Sequence, residues 1–448
     1  MKKMFSSLIK IGIAVICLTL AFPTLSRAGY GTKVPESTNG ENKILLVINE
    51  EIYSSIQTSI NTYIDDLEAE NYKVILVKGK GGTAADLKTA IQDYKTDLKG
   101  VVLIGNLPEA KYNGTVTDLF YMDLDGEWTG SKNDYTGHSD GSADKAPDVW
   151  VGRINVLKLK QTGKSEAKRL DDYFSRNHNY RTGAYDSLPT HKGLIYLDDD
   201  FINTDTTRYL NKAYASTESG IPATDASASN FKTKLSDANG YEWIHLETAS
   251  ASSGTKASKS ATQFAFEDSG VISSNLFYYN NSSKIDPKVL FYTLFSPYAG
   301  DYTKDNYIGG YCVFSNNYGL AAIAKTGVNS SSDLFAKEED LYKALGKDEK
   351  RKIIGQGFLS ALQSKFADSA YASATDIYYL TILGDPTLSI DPPIAKITDD
   401  PEVTDGATGK DVTCKGSGSL KNDTSAAINN YYWYIAGEYG QAGSKEVT

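Results

Sequence analysis

Residues 288–326 read KVLFYTLFSPYAGDYTKDNYIGGYCVFSNNYGLAAIAKT, and this stretch decides how the chain folds. Val289 to Phe295 is a run of seven residues without a charge, bounded by Pro287 and Pro297. An apolar run of that length between prolines reads as a central parallel strand covered on both faces. Gly319 to Ala324 reads as a second strand, and the spacing from Asp305 to Phe314 predicts a helix capped near Thr303. The unit is therefore strand, loop, helix, strand. In open α/β sheets the loops after the strands carry ligands, which puts the candidate site at Ser296 to Thr303.

Working outward, the same alternation recurs. Lys43 to Asn49 is a buried strand, and Ile52, Ile56, Ile60, Tyr63, Ile64 and Leu67 repeat at helical spacing behind it. Val74 to Val77 follows, then a helix from Thr83 to about Tyr94, then the strand Gly100 to Ile104. YMDLDGEW leads into a polar loop over Thr129 to Ala146, and the chain returns as the strand Asp148 to Ile154 and a helix over Lys158 to Tyr180. The pattern restarts at Gly193 to Leu197, with helices near Thr207 to Ala215 and Ala228 to Ser236 and the strand Tyr241 to Thr248. Ser332 to Phe366 reads as mostly helical, and Ala372 to Ile390 closes the region. Strands alternating with helices predict an α/β fold with a doubly wound, mainly parallel sheet flanked by helices. The halves 43–190 and 191–390 are read as two α/β subdomains or one large sheet.

At 448 residues the chain is long enough for two or three domains. Lys2, Lys3 and Lys10 precede the apolar run Ile11 to Phe22, and Ser26-Arg27-Ala28 offers small residues for cleavage. Residues 1–28 thus read as a secretory signal, followed by a loose leader over 29–42. Export to the extracellular space is expected, with no membrane-spanning helix. Cys17 lies within the signal after Ile16, which argues against a lipid anchor. Removing the signal takes the formal charge from −10 to −14, and nucleic acid is excluded as a partner for want of clustered cations. Cys312 and Cys414 fall in different segments, so no disulfide framework is indicated. After Asp391-Pro392-Pro393 short alternating runs and frequent turns suggest a β-sandwich module, which at residues 391–448 is partial.

Six phrases in order, VVLIGNLP (101–108), TDLFYMDLDGEW (117–128), APDVWVGRI (146–154), LFSPYAGDYTKDNYIGG (294–310), YGLAAIAKTG (318–327) and LGDPTLSI (383–390), resemble the gingipain-type cysteine peptidases. These are peptidase family C25 of the caspase-like clan. The tail, with its GSGS run and Tyr431-Tyr432-Trp433, is similar to the start of a PKD-type immunoglobulin-like module. The resemblance implies a polypeptide substrate or ligand, and a His and a Cys at the tips of adjacent strands as catalytic dyad.

Aligned on those phrases, the Cys position holds Pro297 and the His position falls at Ala249-Ser250. Neighbouring candidates are His245, set between Ile244 and Leu246, Ser296, and Cys312, which also reads as a small buried hydrophobe. His138, His178 and His191 sit in a polar loop, at a helix end and before a strand. The relatives' calcium binding makes Asp123, Asp125 and Asp134, with Gly126, Asp140 and Asp144 in the same stretch, candidate oxygen ligands for a structural calcium, against a plain solvated loop. Asp198, Asp199 and Asp200 could form an acidic pocket lip. The leading expectation is a peptidase homologue without its dyad, acting as a binding or regulatory protein. An active endopeptidase with a displaced dyad, or a surface adhesion fragment, are the alternatives.

Overall fold

The computed structural model describes residues 30–33 and 40–390 apart from 141–143, 161–162, 186, 199–200, 202–207, 220–224, 249–259, 267–269, 278–283, 329–337, 347–352 and 369–375, with four short strands between 402 and 441. The signal, most of the leader, Cys414 and the aromatic run's packing lie outside the described residues, as do Ala249, Ser250, Asp199 and Asp200.

In chain order the first half is β1 (Tyr30–Lys33), β2 (Asn42–Asn49), α1 (Glu50–Ala69), β3 (Tyr72–Gly79), α2 (Ala84–Gln92) and β4 (Leu98–Ile104). An insertion follows, made of β5 (Lys111–Tyr112), β6 (Thr115–Val116), α3 (Leu119–Met122), β7 (Glu127–Ser131) and β8 (Asp134–Ser139), before β9 (Trp150–Ile154) and α4 (Glu166–Thr182). The second half is β10 (Gly193–Leu197), β11 (Thr217–Glu218), α5 (Ala228–Leu235), β12 (Tyr241–Glu247), β13 (Gln263–Ala265), β14 (Val271–Ser273), β15 (Val289–Phe295), α6 (Ile308–Val313), β16 (Ala321–Lys325), α7 (Glu338–Leu345), α8 (Ile354–Ala367) and β17 (Leu380–Gly384).

One 11-stranded sheet runs through both halves in the order β1-β3-β2-β4-β9-β17-β16-β15-β12-β10-β11. Its neighbours are parallel except at β1–β3 and at β16–β17. The second exception divides the sheet into two parallel blocks that point in opposite directions. The tips of β10, β12, β15 and β16 therefore emerge at the edge where β17 begins.

Local sequence explains the elements. Every residue of β15 is buried, as an apolar run covered on both faces requires. Helix α1 buries Ile56, Ile60, Tyr63 and Leu67 at helical spacing and packs the Tyr63 ring against Phe174 of α4, centroids 5.2 Å apart and planes tilted by 40°. Thr83 and Asp86 form a capping box on α2, and Gly183 ends α4 in the left-handed conformation at φ 69°.

Several boundaries differ from the sequence reading. The helix expected from Asp305 begins at Ile308, because Thr303 does not cap it: its hydroxyl bonds Asp301 instead. Among the described residues of the segment near Thr207 to Ala215, Leu210–Lys212 forms a 3-10 turn and not the expected α-helix. The loop at Thr129 to Ala146 is largely a hairpin, β7 paired antiparallel with β8. Trp128, Tyr135 and His138 there bury against Phe120 and Tyr378 and give the polar stretch its own core.

Candidate functional site

Strands β12 and β15 lie side by side in parallel, with His245 opposite Thr293 and Glu247 opposite Phe295. Side chains alternate between faces, so the two tips present two separate sets of groups.

On one face Trp243, Thr293, His245 and Glu247 meet Tyr342 of α7. Trp243 Nε1 donates to Thr293 Oγ1 at 3.0 Å, and Thr293 and His245 Nδ1 lie 2.8 and 2.7 Å from the Tyr342 hydroxyl. His245 Nε2 is 3.0 Å from Glu247 Oε1, and Arg208 reaches the Glu247 carboxylate at 2.7 and 2.9 Å. An ionised Glu only accepts, so Nε2 carries the proton and Nδ1 accepts from Tyr342. Burial pushes the His245 imidazole below its ordinary value. Burial also works to raise Glu247, but the bonds from His245 and Arg208 outweigh it and hold the carboxyl low.

On the other face Thr248 donates to Ser296 Oγ at 2.7 Å, both side chains being buried. Ser296 and His245 are thus not brought together. Pro297 follows, also buried. Cys312, the free cysteine among the described residues, is 1% exposed on α6, and burial alone pushes its thiol well up.

The loop after Pro297 is tied down at several points. Tyr298 has φ 60°, a left-handed conformation that costs a non-glycine residue energy, and its backbone N donates to Gly327 O at 3.3 Å. Gly300 N donates to Lys325 O at 2.6 Å. Tyr302 donates to Asp118 Oδ1 at 3.0 Å, and the same carboxylate holds Arg153 Nε at 2.7 Å and accepts from Thr381. The Arg153 guanidinium stacks 4.4 Å from the Tyr302 ring centroid. Burial disfavours its charge, but Asp118 more than compensates and raises its pKa. Beside this loop lies a cavity of about 630 Å³ walled by Thr115, Ser260, Thr262, Tyr298, Asp301 and Lys304.

The remaining candidates lie elsewhere. His138 is fully buried, between Asp123 and Tyr378 at 2.8 Å each, in strand β8 rather than in a loop. His178 bonds Asp66 at 2.9 Å, and His191 bonds Glu242. Asp198 is 0% exposed, its backbone N donating to Glu247 O, so it forms no open lip.

Asp123 and Asp125 come together with Asp148, not with Asp134, which accepts from Gly114 N. The trio's oxygens lie within 4.8 Å of one another. Asp123, however, accepts from Gly126 N and Asp125 N on one oxygen and from Trp128 Nε1 and His138 Nε2 on the other. That uses the roughly four lone-pair sites of a carboxylate. Lys88 lies close enough to oppose the trio's charge, and its own pKa is lowered by burial. Asp148 in turn accepts from Leu124 N at 2.6 Å, so a cation here would draw on Asp125, the other oxygen of Asp148 and backbone carbonyls or water.

Arg208, Thr248, Tyr342 and Asp148 escaped the sequence reading. The signal for the Asp118 cluster was present in DVWVGRI, where a charged Arg153 interrupts a strand that is otherwise apolar.

A mainly parallel sheet flanked by helices, whose adjacent strand tips meet a buried loop, is the architecture of the caspase-like peptidases. The model of peptidase family C25 matches residues 40–391, and the chain belongs to that family. The crystal structure of the Arg-specific cysteine proteinase gingipain R is similar in fold, with a TM-score of 0.52 at 13% identity over 78% of this chain and 78% of that one. No curated protein matches. Among the described residues no helix is long and apolar enough to cross a membrane.

Proposed function

We propose that this protein is a secreted member of its family that binds polypeptide without cleaving it. Pro297 carries the reading: at the tip of β15, where the resemblance calls for a thiol, it offers neither thiol nor hydroxyl. The groups nearby do not make up the deficit. Ser296 is engaged by Thr248, His245 is bonded at both nitrogens on the other face, and Cys312 is sealed in α6 with a thiol that burial keeps protonated. Nucleophilic cysteines are exposed and electropositive in surroundings, the opposite of this one. Family membership supports polypeptide as the ligand class. Export is supported by the basic and apolar run before Ala28.

A quenched peptide library incubated with the purified full-length protein tests the reading. No turnover is the expected result, and cleavage that an alkylating agent abolishes overturns it. Amino-terminal sequencing of exported protein should begin near Gly29; an intact Met1 removes the secretion proposal.

A further inference from the structure

Asp301 is 5% exposed, yet only half of its carboxylate is engaged. Oδ1 accepts from the backbone N of Thr303 at 3.1 Å and from its hydroxyl at 2.5 Å, whereas Oδ2 has no hydrogen-bond partner among the described residues. This carboxylate helps wall the cavity of about 630 Å³. Lys304 lines the same cavity, its backbone N bonded to Asp301 O at 3.0 Å. Among the described residues neither Asp301 nor Lys304 has an ion-pair partner. Thr115, Ser260 and Thr262 add hydroxyls, and Tyr298 is held in its left-handed conformation on the cavity wall. A strained residue on the wall of a pocket into which a nearly buried side chain turns a carboxylate oxygen is the kind of outlier that points to a ligand.

We infer that this cavity receives the free amino terminus of a polypeptide, with the α-ammonium on Asp301 Oδ2. The inference rests on the polypeptide-binding reading and specifies its ligand. An ammonium group gives the open oxygen of Asp301 a charged donor, which a neutral polyol does not. An anion is repelled. Asp305, which also lines the cavity, is paired with Lys158 at 3.7 Å, and a cationic side chain on Asp301 would bring only an apolar stem to Lys304 and the hydroxyls, leaving them without an acceptor. An α-ammonium is followed at once by a peptide carbonyl, which accepts from Lys304 or from the hydroxyls. The lining thus complements an amine with an acceptor one bond further on, the pattern of amino-terminus capture.

Isothermal titration of the full chain with tetra-alanine, N-acetyl-tetra-alanine and N-acetyl-lysine N-methylamide tests this. Tetra-alanine should bind, and acetylation should weaken it by about tenfold or more, as loss of a charged hydrogen bond does. Asp301→Asn retains an oxygen for Thr303 and should lose the same factor with an unchanged melting temperature. Lys304→Ala, at an exposed position, should weaken tetra-alanine as well. Affinity should fall as pH rises through about 8, where an α-amine loses its proton, not near 10, where a lysine does. Equal binding of the two alanine peptides overturns the inference while leaving polypeptide binding intact. A lysine derivative that binds as well as tetra-alanine, or no binding by any probe, overturns it too. Release of new amines from tetra-alanine overturns the non-catalytic reading instead, and the acetylation ratio remains readable.

Discussion

At the scale of single residues, chemistry at the β15 tip is limited by which face each group occupies. Pro297→Cys restores a thiol but no base, because both nitrogens of His245 are committed on the face under α7. The variant should alkylate faster than Cys312 and still leave a quenched peptide uncut; turnover would show that a base reaches the tip. Wild-type Cys312, raised by burial, should label about 100-fold more slowly in native protein than in urea, since only an exposed thiolate reacts. The His245 network also has a pH signature. A His with a depressed folded pKa stays neutral while the unfolded chain takes up protons below its ordinary value of about 6.5, so stability falls as pH drops below that value. Glu247, held low, adds stability above its unfolded pKa that is lost as pH falls through the folded one. Both act in the same direction. Melts of wild type and His245→Gln from pH 7 to 5 should show a shallower slope in the variant, and Tyr342→Phe should cost about 1–3 kcal/mol at pH 7 by leaving Nδ1 unsatisfied.

At the scale of elements, the Asp118 carboxylate joins α3, β9, β17 and the site loop through Arg153, Thr381 and Tyr302. Asp118→Asn leaves Arg153 charged inside the protein, which should lower unfolding free energy by about 3–5 kcal/mol in a urea titration and loosen the loop before Tyr302. A loss below 1 kcal/mol would mean that Tyr302 and the backbone hold the loop unaided. This join explains where sequence reading stopped. Apolar runs such as GLIYL and VLFYTLF announce buried strands by composition, and β10 and β15 fall on them residue for residue. A partnership between Asp118, Arg153 and Thr381, 263 residues apart at its widest, leaves no local trace. The hairpin of β7 and β8 was hidden for a related reason. Its strands are rich in polar residues, Gly and Ser, and among them Tyr135, with Trp128 and His138 stacked at 4.0 Å between centroids, marks an interior. The acidic stretch was legible as charge, but the network around Asp123 was not, since its donors are two backbone N–H groups, Trp128 and His138. A chelator should therefore leave the melting temperature unchanged, whereas a bound structural cation would make it fall on chelation.

At the scale of the whole molecule, the order of strands binds early and late sequence together. β17 comes after α8, yet it lies between β9 of the first half and β16 of the second, parallel to one and antiparallel to the other. Without it β9 is an edge, with Trp150 and Arg153, both buried in the intact sheet, brought toward water. Arg181 of α4 makes the same connection from above, its guanidinium bonded to Asp385 at 2.7 Å and to Thr387 just beyond β17. Asn177 bonds that Asp385 at 2.7 Å as well. Residues 40–190 thus carry a buried guanidinium, Arg181, one of whose two carboxylate partners is supplied some two hundred positions later. Expressed alone, this fragment should show low near-ultraviolet dichroism and a broad melt, and adding residues 191–390 in trans should restore a sharp transition. Sharp, cooperative unfolding of the isolated fragment would show instead that β2, β3, β4 and β9 form a self-sufficient core and that β17 only decorates its edge. The distinction matters for the site, because the loop carrying Pro297 and Asp301 is anchored on Asp118 and Arg153 in that first block. A first half that folds only around β17 makes the cavity's geometry a property of the complete sheet.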